Sequence, residues 1–369
     1  MKIVIFCWRG PGHPNAGGAE IVTHEHAKAW VRTGHKVTLF TSYFPEAKAE
    51  EFINGVKILR RGNDFVGVRV SALKWFLSLK DKPDLVFDHF HGIPFFTPLY
   101  VKGKKVAFIH EVAKEVWWMN SLSFPFNLLY GFIGYFSEPF IFRLFYRNIP
   151  FVTVSESTKN DLTKWGIPEK HITIIHNGAS FIKVREAKEH RKTAIFLGAL
   201  SKDKGIEDAL KVFASINRSQ KDWQYWVVGK GEADYLKKLQ YLAKSLGLEK
   251  KVKFWGFVSE KKKFELLARA HVMINTSVRE GWGLVNVEAN SVGTPVVAYE
   301  VAGNRDSIRN GLTGVLCKKH RRCLVDNVIS LLGKKDKEYN VMSSNARKWA
   351  KRFDWSKSTK KSLKLIESL

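Results

Sequence analysis

The sequence predicts an α/β protein made of two doubly wound domains, each with a parallel sheet. Three observations lead there. The chain has 369 residues, too many for one ordinary core and suited to two. Its hydrophobic content of 45% is that of a globular protein. Short apolar runs alternate with amphipathic stretches in both halves, and that alternation builds parallel sheets covered by helices.

In the first half, strands are expected at 2–7 (KIVIFC), 36–41 (KVTLFT), 56–60, 84–88 (DLVFD), 105–109 and 151–154, with a helix over 19–33. The opening run, Met1 to Cys7, has the charge and apolarity of a small signal peptide. It is too short for one and glycines follow at once, so it reads as a buried strand. In the second half, strands are expected at 193–197, 224–228, 251–254, 272–276, 295–299 and 314–316. Helices fall at 205–218, 232–247, 260–270 and 283–292, and a last helical stretch covers 338–368 with Trp349, Phe353 and Trp355 as anchors. The polar segment 179–193 is the join. The expected domains are therefore 1–180 and 190–345, with 346–369 as a C-terminal segment that packs back on the first. Two such domains facing each other would form a cleft at the carboxyl ends of their strands.

Composition narrows the partners. The formal net charge is +26, from 61 Lys and Arg against 35 Asp and Glu, which favours anionic partners such as nucleic acid, anionic lipid or phosphorylated substrates. No helix-turn-helix, RNA-binding aromatic motif or zinc pattern supports nucleic acid, and the charge is spread over both halves. The cysteines Cys7, Cys317 and Cys323 lack metal-site spacing and point to a reducing, cytoplasmic compartment.

Several candidate contacts fall after strands. Gly17 and Gly18 open the first helix, where backbone can approach a phosphate or sugar. The sequence is not G-x-G-x-x-G, so a dinucleotide site is not supported. Lys204 precedes Gly205 at a helix start and can meet a diphosphate as a point charge. Gly229, Lys230 and Gly231 end another strand in the same way, and His110 ends the strand 105–109. The most informative stretch is 279–300, REGWGLVNVEANSVGTPVVAYE, which reads as loop, helix, stop and strand. Gly293 and Pro295 end the helix. Glu280 lies just before that helix and Glu288 in its early turns, with the backbone N–H groups from Gly281 to Leu284 aimed at anything docked there.

These pieces, in this order, resemble the family 4 retaining glycosyltransferases, which have the GT-B fold. The match runs through "GGAE", "FIHE", "VSESTK", "IIHNG", "GALSKDKGIEDAL", "VVGKGE" and "VKFWGFVSE" to "REGWGLVNVEA", the family's E-x7-E motif. The resemblance implies that Glu280 faces the transferred sugar and Glu288 the ribose hydroxyls, with Gly281, Trp282, Gly283 and Leu284 contacting sugar and phosphate. It makes Lys204 the diphosphate-binding lysine and puts His110 near the reacting sugar. Gly17 and Gly18 match the loop near the diphosphate and acceptor. Gly231 falls among the donor-binding residues, and Gly256, Phe257 and Val258 match the segment whose backbone reads the base. Ala199 stands where many relatives have an arginine on the diphosphate, so Lys202 or Lys230 would have to compensate. The donor implied is a UDP- or GDP-sugar, used as substrate without a cofactor.

There is no D-x-D motif, so no metal is expected, and Lys204, amides and the helix dipole must stabilise the leaving group. The resemblance implies retention by front-face attack, with the leaving phosphate helping to take the acceptor proton. A nucleotide-sugar hydrolase or epimerase would share the donor site and is the alternative activity. The acceptor side holds an unusual region: Trp117, Trp118 and Met119, an uncharged run from Ser121 to Ser137, then Phe140 to Arg147. It is too short and too interrupted to span a membrane. Core packing is one expectation for it. A surface lying on the cytoplasmic face of an anionic membrane is the other, and would go with a lipid-linked glycan acceptor.

Overall fold

The computed structural model describes residues 1–120, 122–184 and 186–369, so Ser121 and Arg185 lie outside the described residues. The chain divides into two compact units, Met1–Gly178 with Trp355–Leu369, and Ala179–Asp354. Each contains a mostly or wholly parallel sheet with a helix between most successive strands.

In the first unit the strands are β1 (Lys2–Cys7), β2 (Lys36–Thr41), β3 (Glu50–Ile53), β4 (Val56–Arg60), β5 (Leu85–His89), β6 (Lys104–Ile109), β7 (Phe151–Thr153) and β8 (Ile172–Ile174). They lie in the order β3-β4-β2-β1-β5-β6-β7-β8, parallel except for the β3–β4 pair. Ile3 to Cys7 and all of β5 are buried, which is why these central strands read as unbroken apolar runs. The edge hairpin β3–β4 was not anticipated. It turns on Asn54 and Gly55, both at positive φ (52° and 82°), the conformation a tight hairpin demands. The short β8 was also missed.

The second sheet is wholly parallel. Its strands are β9 (Thr193–Leu197), β10 (Gln224–Val228), β11 (Val252–Gly256), β12 (Val272–Asn275), β13 (Val296–Tyr299) and β14 (Gly314–Cys317), in the order β11-β10-β9-β12-β13-β14. The strand order reverses between β9 and β12, and in such sheets the crevice at the carboxyl ends of those two strands is the ligand position.

The helices of the first unit are α1 (Gly18–Arg32), α2 (Val66–Ser78), α3 (Phe126–Ile141) and α4 (Glu156–Lys164). Those of the second are α5 (Ile206–Ser219), α6 (Ala233–Ser245), α7 (Glu260–Arg269), α8 (Leu284–Ser291), α9 (Asn304–Ser307), α10 (Arg321–Leu332) and α11 (Asp336–Ala350). Helix α12 (Trp355–Ser368) returns the chain to the first unit. The helical stretch expected over 338–368 is thus two helices separated by a turn at 351–354. Helix α12 packs on α1: His26 Nε2 lies 2.9 Å from Ser358 Oγ, and Trp30 Nε1 donates to Ser362 Oγ at 3.1 Å.

The region 117–147, Ser121 lying outside the described residues, meets each of its two expectations in part: Phe142 and Tyr146 are buried in the core of the first unit, whereas α3 leaves one face uncovered. Only one face of α3 is used for packing: Gly131, Gly134 and Glu138 are buried there. Trp117 and Trp118 lie so close against Gly134 and Gly131 that a methyl group at either position would collide with an indole. Glu138 accepts from Ala113 N (2.7 Å), Lys114 N (3.0 Å) and Trp117 Nε1 (2.8 Å). The opposite face, with Leu129, Phe132, Ile133, Phe136 and Phe140, is exposed. Among the described residues, no helix is long and apolar enough to cross a membrane.

Candidate active site

The second unit assembles a cluster at the carboxyl ends of β9 and β12. After β9 the chain runs through a loop to Gly205, which has φ +70° and precedes α5. A side chain at Gly205 would collide with the Thr276 carbonyl, so the loop can press on the segment after β12. Thr276 Oγ1 donates to Gly205 O at 2.8 Å, and Val278 N donates to Asp203 O at 2.8 Å. These bonds bring Lys204 to Glu280. Glu280 Oε1 accepts from Lys204 Nζ at 3.0 Å and from Ser277 Oγ at 2.7 Å. The Lys204 side chain is 25% exposed and that of Glu280 13% exposed, so the pair remains open to solvent on one side.

Glu288 sits on α8 and forms a second ion pair. Its Oε1 lies 2.7 Å from Lys263 Nζ, from α7, and Lys263 also lies 2.9 Å from Glu260. Burial pushes the Glu288 carboxyl above its ordinary range, against the opposing pull of Lys263. Burial draws the Lys263 ammonium down, but Glu288 and Glu260 outweigh it and the net direction is up. Lys263 is therefore a firm cation beside a carboxylate that is costly to leave alone.

Gly281, Trp282, Gly283 and Leu284 link the two glutamates. Gly283 caps α8 with φ +73°, and a side chain there would meet Asn286 Nδ2 at 2.5 Å and Ser307 Oγ at 2.7 Å. The Trp282 ring is buried and packs edge-on against Phe353 at 4.9 Å, so its indole anchors the loop and its backbone is what remains for a ligand. Beneath the loop lies a buried amide network. Asn275 Nδ2 donates to Asn286 Oδ1 (2.9 Å), and Asn286 Nδ2 donates to Asn304 Oδ1 (2.8 Å) and Ser307 Oγ (2.9 Å). Asn304 Nδ2 in turn donates to Tyr299 O at 3.0 Å. The network ties the ends of β12 and β13 to α8 and holds Glu280 and Glu288 in a fixed frame.

The other donor-side candidates lie on the loops that follow β9, β10 and β11 in the same unit. Gly231 is exposed, and its loop is joined to the 198–205 loop by Leu200 N donating to Lys230 O at 2.8 Å. Val258 is half-buried on the core, next to the exposed Phe257, whose ring lies 5.7 Å from Lys230 Nζ. Ala199 is exposed, as are Lys202 and Lys230.

The remaining candidates belong to the first unit. Gly17 and Gly18 are exposed at the start of α1, where Gly17 N donates to Glu20 Oε2 at 2.7 Å. His110 follows β6. Its ring stacks on Phe108 (4.8 Å) and lies 5.1 Å from the His89 ring, and its buried Nε2 has no hydrogen-bond partner. Burial pulls its pKa well below the ordinary histidine value, so at neutral pH it is an uncharged imidazole.

Ser277, Lys263 and the Asn275–Asn286–Asn304 network were not found from the sequence. The available signal was an asparagine, Asn286, inside an otherwise apolar helical stretch, because a buried amide needs partners. Among the described residues, no group of three or more His, Cys, Asp or Glu side chains could hold a metal ion.

The fold and this cluster define a two-unit α/β transferase of the GT-B class. Residues 16–180 match the family described as Glycosyltransferase Family 4, and residues 179–349 match Glycosyl transferases group 1. The chain belongs to the family 4 glycosyltransferases and is a glycosyltransferase. It is 25% identical over 343 residues to an uncharacterized glycosyltransferase of Methanocaldococcus jannaschii, covering 85% of this chain and 84% of that one. The same fold is seen in sucrose-phosphate synthase of Thermosynechococcus elongatus, with a TM-score of 0.80 at 18% identity over 100% of this chain and 98% of that one. It is also seen in HepE of Anabaena, solved in complex with UDP-glucose, with a TM-score of 0.74 at 20% identity over the whole of both chains.

Proposed function

We propose that this glycosyltransferase moves a sugar from a nucleotide-diphosphate sugar to an acceptor hydroxyl, with retention of anomeric configuration and without a metal ion. The acceptor is a lipid-linked or membrane-associated glycan. The observation that carries the donor side is the single oxygen, Glu280 Oε1, shared by Lys204 and Ser277. Paired as they are, the ammonium and carboxylate neutralise each other. When a donor binds, the diphosphate takes Lys204, and Glu280 turns to the sugar hydroxyls. Glu288, held by Lys263, accepts from the ribose.

In the reaction, the bond from the anomeric carbon to the phosphate oxygen breaks, and its electron pair leaves with the nucleoside diphosphate. The acceptor oxygen bonds the same carbon on the same face. Its proton passes to the departing phosphate oxygen. Lys204 and the α8 N-terminus stabilise the charge that develops there. The UDP-glucose held by HepE makes UDP-glucose the first donor to try.

The acceptor side rests on the exposed apolar face of α3 and the net charge of +26, which together favour peripheral docking on an anionic cytoplasmic leaflet. Thermal-shift screening of UDP- and GDP-sugars, followed by NMR of the product's anomeric centre, tests the reading. Stabilisation by one nucleotide series and an unchanged anomeric configuration are expected. Rapid turnover of donor in the absence of acceptor would instead make the protein a nucleotide-sugar hydrolase.

A further inference from the structure

Immediately beyond α3 the helix continues as a π-turn over Phe142–Tyr146. Such turns shift side chains around a helix and often mark functional sites. Here Phe142 and Tyr146 are buried anchors, and Arg143 and Arg147 are left on the outer side. Phe142 packs edge-on against Trp165 at 5.2 Å, which brings in the end of α4 and its last residue, Lys164. The Arg143 stem runs over Gly166, with Cδ 3.7 Å from where a β-carbon would stand.

The result is a cavity of about 450 Å³ lined by Arg143, Arg147 and Lys164 among Phe136, Phe140 and Trp165. No carboxylate lines it, and none of the three cations makes an ion pair among the described residues. A cation at the C-terminal end of α4 is expected on helix-dipole grounds. That accounts for Lys164 but not for the two arginines. Like charges gathered in one cavity repel unless an anion joins them, and arginine forks suit phosphate oxygens.

Phe136 and Phe140 belong both to this cavity and to the exposed apolar stripe of α3. Cations standing beside side chains suited to an acyl boundary reproduce the layering of a lipid surface, with phosphate outside and hydrocarbon within. We propose that Arg143, Arg147 and Lys164 form a binding site for the phosphate of a membrane lipid headgroup, seated while Leu129, Phe132, Phe136 and Phe140 enter the leaflet. This deepens the membrane-docking part of the proposed function and rests on it.

The test is flotation of the full chain with phosphatidylcholine vesicles carrying phosphatidate or oleate at matched surface potential. Three proteins are compared: wild type, Arg143→Gln/Arg147→Gln/Lys164→Gln, and a charge-matched control, Lys237→Gln/Lys238→Gln/Lys244→Gln, on the exposed face of α6. Wild type and control should prefer phosphatidate over oleate. The pocket variant should lose that preference and bind phosphatidate about a hundredfold more weakly, since each cation near an anionic surface is worth about 1 kcal/mol. Unchanged thermal melts check that all three are folded. Equal binding of wild type to both vesicles, or an equal loss in pocket variant and control, would overturn the site while leaving membrane docking intact. No flotation on either vesicle would sink docking and the site together. Calorimetric binding of glycerol 1-phosphate as tight as that of phosphatidate vesicles would overturn the lipid assignment.

Discussion

Lys204 and Glu280, 76 residues apart in the chain, meet at 3.0 Å because two loops from neighbouring strands are stitched together beneath them. The pair is partly solvated, so it contributes little to stability as an ion pair. Under the proposed function its consequence is catalytic, since each partner would exchange the other for part of the donor.

Replacing Lys204 by Ala should therefore leave folding nearly unchanged and lower kcat/KM by about 10²–10³, the usual effect of losing a preorganised group that stabilises developing charge. Steady-state kinetics beside a thermal melt would show it. The same assays in EDTA should give wild-type rates. Activity lost in EDTA and restored by magnesium or manganese would overturn the lysine-based account.

The two glutamates should separate kinetically. Glu288→Ala should weaken nucleotide binding by about 1.5–3 kcal/mol, the scale of a hydrogen bond to a charged group. Glu280→Ala should act mainly on kcat. Calorimetry with the nucleotide alone distinguishes them, and unchanged affinity in Glu288→Ala would contradict the ribose assignment. Lys263→Ala should also weaken binding, because it leaves Glu288 buried without the cation beside it.

The amide network should show itself in stability. Asn286→Leu removes one partner each from Asn275 Nδ2, Asn304 Oδ1 and Ser307 Oγ, leaving Asn275 Nδ2 and Asn304 Oδ1 only their mutual 3.4 Å bond, while Ser307 Oγ still donates to Gly303 O. Each buried polar group left unsatisfied costs about 1–3 kcal/mol. In a unit of this size that corresponds to a Tm lower by about 2–4 °C for each kcal/mol lost. A wild-type Tm in this variant would mean that the network carries no weight.

Acid should destabilise the first unit. Burial lowers the pKa of His26 from 6.5 to about 4 and that of His89 from 6.5 to about 3. The unfolded chain therefore binds more protons than the folded one below about pH 6.5. The stability contribution of the two neutral rings is complete above that pH and shrinks as pH falls toward 4. At pH 5 the loss is about 2 kcal/mol for each ring. Chemical denaturation at pH 7 and pH 5 would measure it, and His26→Gln should show a smaller fall than wild type. The same fall in both would remove His26 from the account.

The sequence by itself determined the alternating architecture. Central parallel strands such as β1 and β5 are buried on both sides and so appear as continuous apolar runs, and their edges were read to within a residue or two. The placement of Glu280 before a helix and Glu288 within it was equally legible, because Gly283, Gly293 and Pro295 are local signals of backbone geometry. The Asn54–Gly55 hairpin carried a local signal too and was overlooked.

Tertiary structure alone decided which side chains meet. Lys204 with Glu280, Lys263 with Glu288, and Asn275 with Asn286 and Asn304 are joined across separate strand-helix units, and nothing within one segment specifies the distance to another. It also decided the fate of α3. That helix is apolar on nearly every side, so its composition could not say which face would be buried. Gly131, Gly134 and Glu138 admit Trp117 and Trp118 on one side, and that packing leaves Phe132, Phe136 and Phe140 facing outward.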